Sequence, residues 1–171
     1  AKERNDKLIV VFNLVTEFLQ ATYRQYYFMI EGLKEVEKYL AQLNISFYIT
    51  TGKPEEEIPK FILKHNAGLL ITDFSPLNII VGWKEKVSQK ITIPFYEIDS
   101  HNIIPVWIAS NKLEFAAYTI RPRIKNLLPD YLDEFPKLEK FSKNNFIQNK
   151  IDWEKFYKSL KINFDVKPVE K

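Results

Sequence analysis

Short apolar runs alternate with amphipathic stretches along this chain. Leu8 to Phe12 is a continuous β-branched and aromatic run, the pattern of a strand covered on both faces. Thr16 can cap a helix in which Tyr26, Met29, Leu33, Val36, Leu40 and Leu43 recur every three or four residues as one apolar stripe, and Asn44 ends it. Ile45 to Thr51 predicts a second strand, broken by Gly52. Pro54 then opens a helix with Glu55, Glu56 and Glu57 in its first turn, and His65-Asn66-Ala67-Gly68 closes it with Gly at the end. Leu69 to Thr72 predicts a third strand. Ser75-Pro76 predicts a cap and first turn for a helix burying Ile79, Ile80, Trp83 and Val87, and Phe95 to Ile98 a fourth strand. Further helices are predicted near 111–119, at 122–134 (Pro122 first, with Ile124, Leu127, Leu128 and Tyr131 inward) and at 152–160 after Asp152.

Strand and helix alternating four times argue for a parallel α/β sheet, whose ligand sites lie outside the carboxyl ends of the strands. That rule selects four loops: Asn13 to Thr16, Thr51 to Lys53, Asp73 to Leu77 and Asp99 to Asn102. The aperiodic polar stretch 137–150 is the best candidate linker, and 161–171 resembles an extended exit segment.

Composition narrows the classes. The 171 residues are 46% hydrophobic and 27% charged, which fits one globular domain. No apolar run approaches the roughly 20 residues that span a bilayer, and no secretory leader opens the sequence, so an intracellular protein, cytoplasmic or nuclear, is the expectation. There is no Cys and there are only two His, so a metal centre is not expected. The net charge of +3 comes from residues 137–171, where nine Lys face five acids; a dedicated nucleic-acid binder would carry a far stronger basic stripe. Four unclustered glycines leave no phosphate-cradling loop.

Two groups of residues could carry chemistry. Asp99 and His101 follow a strand and have the elements of an acid/base pair. No nucleophile stands beside them in the sequence, and the favoured reading is that Asp99 caps its turn while His101 bonds to backbone. Ser75, before a Pro, is similarly better read as a cap than as a nucleophile. Lys112, Glu114, Arg121 and Arg123, interleaved with Trp107, Phe115 and Tyr118, could grip an anionic or planar ligand or form an ion-paired surface. Tyr23, Tyr26, Tyr27 and Phe28 are better read as packing than as a cofactor stack. By chemistry alone the sequence describes a parallel α/β ligand-binding domain.

A resemblance goes further. Phe12-Asn13-Leu14-Val15, Phe18 to Tyr26 (FLQATYRQY) and Phe28 to Leu33 (FMIEGL) resemble class II cyclobutane pyrimidine dimer photolyases. So do Thr72-Asp73-Phe74-Ser75-Pro76-Leu77, Asp99 to Ser110 (DSHNIIPVWIAS), Lys112 with Glu114 and Phe115, Thr119 to Ile124 (TIRPRI) and Glu134-Phe135-Pro136. Ile151-Asp152-Trp153 and Val166-Lys167-Pro168-Val169 are similar to the family's linker. The resemblance implies a Rossmann-like three-layer α/β antenna domain at 1–136, followed at 137–171 by an interdomain linker with a short helix. It implies a deazaflavin-type antenna chromophore; Asp73, Phe74, Ser75, Asp99, His101 and Asn102 are expected to border its pocket because they share a position after two adjacent strands, with Lys112, Glu114, Arg121 and Arg123 as interface or ligand contacts.

FAD, damaged DNA and the repair step are implied for a helical domain that this chain lacks, so no repair activity is expected of these 171 residues alone. Asn78 and Tyr118 stand where the family usually has Arg. The family's strand order, 3-2-1-4-5, places its opening strand at the centre of the sheet. That strand has no counterpart here, Ala1 to Lys7 resembling the end of the helix after it, which predicts two half-sheets with open inner edges. Another segment such as Ile103 to Ile108, a partner or self-association could fill the gap. The rival readings are a photolyase-like docking module without chromophore and a universal-stress-like nucleotide-binding domain.

Overall fold

In the computed structural model residues 1, 6–141 and 150–168 are described. Most of the candidate linker, most of the Ala1 to Lys7 helix end and Val169 of the linker motif therefore lie outside the described residues. The elements run β1 (Ile9–Leu14), α1 (Tyr23–Gln42), β2 (Ser46–Thr51), α2 (Pro54–His65), β3 (Leu70–Asp73), α3 (Asn78–Ser88), β4 (Phe95–Ile98), α4 (Val106–Ala109), α5 (Ala117–Tyr131) and α6 (Trp153–Ser159). The architecture is Rossmann-like α/β, with parallel strands joined through helices. β1 pairs with β2, Ile9 opposite Ser46 through Leu14 opposite Thr51; β3 pairs with β4, Leu70 opposite Phe95 through Asp73 opposite Ile98. The chain divides into two compact units, the first Ala1–Glu57 with Leu138–Lys171 and the second Ile58–Lys137.

The core of the first unit is Leu14, Tyr26, Ile30 and Leu160, with Phe12, Met29, Trp153, Phe156 and Ile162 packed against it. The buried residues of α1 are Tyr26, Ile30, Leu33 and Glu37, so its inward face is rotated from the predicted stripe and leaves Val36 exposed. The helix also starts later than predicted. Leu19 and Gln20 have φ of 46° and 59°, a left-handed backbone that no helix capped at Thr16 could contain. Thr22 is the N-cap instead, with Gln25 Oε1 accepting from its backbone N–H at 2.9 Å and its hydroxyl at 2.6 Å. At the far end Asn44 takes φ of 59°, and the bonds Ile45 N to Leu40 O and Asn44 N to Ala41 O close the helix.

Asn13 ties the carboxyl ends of β1 and β2 together. Its amide donates to Gly52 O at 2.9 Å and accepts from the Thr50 hydroxyl at 2.8 Å. Gly52 has φ of 135°, and a Cβ there would lie 3.2 Å from Glu57 Cγ. Gly52→Ala is therefore expected to destabilise by about 1–3 kcal/mol, read from denaturant midpoints; a neutral result would mean that the turn relaxes.

Other elements shift for local reasons. Asn66, not Gly68, supplies the left-handed residue after α2, with φ of 48° and Ala67 N bonded to Ile62 O. α3 begins at Asn78 because the Leu77 carbonyl takes the first helical bonds, from Ile80 and Val81; Ser75 only receives Leu77 N at a long 3.5 Å. Residues 111–116 are irregular instead of helical, and α5 starts at Ala117, five residues before Pro122. The Thr119 hydroxyl and backbone N–H both bond Ala116 O and start that helix early. The segment Ile103 to Ile108 forms a loop and α4 and does not supply a strand.

Candidate functional site

β3 and β4 lie side by side and parallel, so the loops leaving their carboxyl ends are neighbours. Phe74 N donates to Ile98 O at 2.8 Å and carries the ladder one residue beyond the strands. The Ser100 hydroxyl then donates to Asp73 Oδ1 at 2.5 Å, joining the two loops through side chains.

Asp99 is 6% exposed, and its carboxylate organises its own loop. Oδ1 accepts from His101 N at 3.2 Å and Asn102 N at 3.1 Å, and Oδ2 from Val106 N at 3.0 Å; the Asn102 amide spans both oxygens at 3.0 Å. Burial pushes this carboxyl upward, but the donors from Val106, Asn102 and His101 outweigh burial and hold it below the ordinary aspartate value. Asp99 thus meets the His101 main chain. Among the described residues no hydrogen bond joins it to the imidazole, and that ring is exposed.

A depressed carboxyl has a definite pH consequence. The unfolded chain takes up its proton first, so the stability Asp99 contributes is complete above the ordinary aspartate pKa of about 4 and is lost as pH falls through the lower folded value. The difference in denaturant midpoint between the wild type and Asp99→Asn should accordingly be widest at neutral pH and shrink below about pH 4. A difference unchanged down to pH 2.5 would contradict the geometry.

The Asp99–Val106 bond fixes the start of α4 and so the place of Trp107. The Trp107 and Phe74 rings meet edge to face, with centroids 5.6 Å apart at 83°. Lys84 of α3 lies 5.7 Å from the centroid of the Phe74 ring and pairs with Glu97 of β4. Trp107 remains 49% exposed, which leaves ring surface for a planar molecule.

Of the residues the sequence selected, the fold brings Asp73, Phe74, Asp99 and Asn102 to the ends of one strand pair, with His101 in the same loop and Ser75 just past Phe74. It adds Ser100 and Trp107, both inside the Asp99 to Ser110 block, and Lys84, which carried no sequence signal because its partner lies 13 positions away.

The second polar group is brought together only in part. The Ser110 hydroxyl donates to Glu114 Oε1 at 2.7 Å, and Arg123 Nε lies 3.5 Å from the same oxygen. The Ser110 bond first, then Thr119, and more weakly Lys112 and Arg123, hold the Glu114 carboxyl below its ordinary value. Lys112 and Arg121 are exposed. Leu113 and Phe115, on either side of the inward Glu114, are 98% and 88% exposed. Among the described residues no group of three or more His, Asp or Glu is placed to hold a metal, and no helix is long and apolar enough to cross a membrane.

A parallel α/β fold with paired polar and aromatic loops at adjacent strand ends defines a Rossmann-like class of domain. Comparison with known proteins is more specific. The family model for DNA photolyase matches residues 1–140. The deoxyribodipyrimidine photo-lyase of Arabidopsis thaliana is 45% identical over 141 residues, 81% of this chain and 28% of that protein. Its namesake from Potorous tridactylus is 38% identical over 165 residues, 95% of this chain and 31% of that protein, and that from Methanothermobacter thermautotrophicus is 35% identical over 127 residues, 73% of this chain and 28% of its own length. The chain belongs to the DNA photolyase family. It spans under a third of the length of these curated relatives, which are named as lyases.

Proposed function

We propose that these residues are the N-terminal light-harvesting domain of a class II DNA photolyase, with an antenna chromophore of the deazaflavin type at the carboxyl ends of β3 and β4. The observation that carries the reading is the pairing of the Asp73 and Asp99 loops beside the Phe74–Trp107 ring pair, in a chain 38% identical over 95% of its length to a photolyase. The groups present suit a planar ring system that carries hydrogen-bond donors. Trp107 offers ring surface beside Phe74, while Asp73, Ser100 and Asn102 hold accepting oxygens on the two neighbouring loops. When bound, such a chromophore would supply light absorption and excitation transfer. The protein's part is to hold it flat and keep it from tumbling. FAD, the damaged DNA and the carbon–carbon lyase step belong, in this reading, to the remaining length of the parent protein, which would be the domain's partner inside the cell.

The direct test is a titration of the purified chain with a deazaflavin, followed by absorbance at roughly 350–450 nm and by quenching of Trp fluorescence. Saturable binding at one site supports the reading. Its absence, with the chain folded, removes the chromophore and leaves a docking module. The exposure of Leu113 and Phe115 favours that second reading, as do Asn78 and Tyr118 at positions where the resemblance leads one to expect Arg. A universal-stress-like nucleotide-binding domain shares only the architecture and yields to the family match.

A further inference from the structure

Glu37 is the anomaly of the first unit. It sits on the inward face of α1, 6% exposed, where its periodic neighbours are Tyr26, Ile30 and Leu33. A carboxylate at such a place is costly unless its oxygens are satisfied. Both are satisfied from far along the chain: Oε1 accepts from Ile151 N at 3.0 Å and Oε2 from the Trp153 indole Nε1 at 2.6 Å.

Those two donors begin a segment that stays attached to the first unit. Asp152 caps α6 by accepting from Lys155 N at 3.0 Å. α6 is seven residues long, too short to persist alone, so packing sustains it. Trp153, Phe156, Tyr157 and Leu160 lie three or four positions apart and lay one apolar face on the core of Leu14, Tyr26 and Ile30. Beyond the helix the backbone attaches to the beginning of α1. Tyr23 N donates to Asn163 O at 2.7 Å, Arg24 N to Val166 O at 3.1 Å and Arg24 Nε to Lys167 O at 3.1 Å. The ring of Phe164 closes on Tyr23 at 5.2 Å.

We propose that residues 150–168 are an intramolecular strap that completes the first unit, with the Glu37 carboxylate as its latch, so that the chain reaches Lys167 at one fixed place beside the start of α1. Two observations support a working device over a chance contact. The family model stops at residue 140, yet Leu160 is part of the unit's buried core. Similarity to the Potorous protein covers 165 residues and so reaches into the strap. The consequence is positional: a segment held at both the latch and the Arg24 end fixes the direction in which the chain leaves this unit, where a free tether would not. This inference stands apart from the chromophore reading and can fail independently of it.

Hydrogen exchange followed by NMR on the whole 171-residue chain tests it. In the wild type the Trp153 indole proton and the amides of Ile151, Tyr23 and Arg24 should all be protected; exchange at unstructured-peptide rates would overturn the strap. Glu37→Gln keeps one accepting oxygen, and Trp153→Phe keeps the ring without its donor. Each should speed exchange at the Ile151 amide, and also at Tyr23 and Arg24 at the other end, by about tenfold to a hundredfold, the equivalent of one hydrogen bond to a charged acceptor. Acceleration confined to the Ile151 end would mean that no latch couples the two ends. Tyr157→Phe is the control: the Tyr157 hydroxyl is buried with no hydrogen-bond partner among the described residues, so its removal should leave both ends as protected as before. If that variant loosens them equally, general packing and not the Glu37 latch holds the segment, and the proposal fails.

Discussion

An Ile30→Ala variant is expected to lose about 2–5 kcal/mol of stability. Ile30 is fully buried at the middle of α1, in the same cluster as Leu14 of β1 and Leu160 beyond α6. Three elements from distant parts of the chain therefore border the cavity that truncation would leave. None can move far to fill it: the end of β1 is held to β2 by the Asn13 bonds, and the far segment is held at Glu37 and Arg24. Partial collapse is the route by which such substitutions become tolerable, and it is restricted here. Denaturant melts followed by circular dichroism check this, with Ile30→Val, at about 1 kcal/mol, as the graded comparison. An Ile30→Ala loss below 1 kcal/mol would mean that α1 is not packed as described.

Trp107→Ala carries the largest expected effect on ligand binding. Its ring is held edge to face against Phe74 and the residue is 49% exposed, so under the proposed reading it would form one wall for a flat chromophore. Removing it should weaken deazaflavin binding about tenfold or more, while Trp107→Phe, which retains a smaller ring, should recover part of the loss. Asp99→Asn offers a separate arm. Asp99 is nearly buried and spends its oxygens on His101, Asn102 and Val106, so under the proposed reading it acts on a ligand through the position of α4. Its substitution should weaken binding less than Trp107→Ala and should broaden the Trp107 signal. Equal binding by wild type and Trp107→Ala would dismiss the aromatic wall, and the docking-module reading would take its place.

The strands were the most legible part of the chain. Phe95 to Ile98 was located to the residue and the other three within two, because continuous β-branched and aromatic runs between polar turns have few alternatives. Helix starts were less legible wherever a local backbone feature overrode the apolar period. Leu19 and Gln20 turn left-handed and delay α1, and the Thr119–Ala116 turn starts α5 before its proline. At 111–116 the apolar positions Leu113 and Phe115 face outward around an inward Glu114, the reverse of what a periodic reading assumes. At the candidate site the residue types were legible and their roles only in part. Asp99 capping its own turn follows from an aspartate two and three residues before free backbone donors. Neither the meeting of Asp73 with Ser100 nor that of Phe74 with Trp107 could be read, since both depend on how side chains of separate loops are placed against each other.

What the sequence determined by itself was local and compositional: four strands, an α/β alternation, the absence of thiol chemistry, and motif blocks specific enough to indicate a photolyase-type domain, whereas the expectation that the strands are buried fails at β3 and β4, where Ile71, Tyr96 and Ile98 are half exposed. Tertiary structure alone decided that Glu37 is an inward residue and that the chain returns after residue 150 to finish the core of its first 57 residues. The reason is one of range. Hydrophobic period and turn chemistry act over a few residues and are written in order along the chain. A buried carboxylate becomes tolerable only when donors more than a hundred positions away arrive to satisfy it, and no local pattern records their arrival.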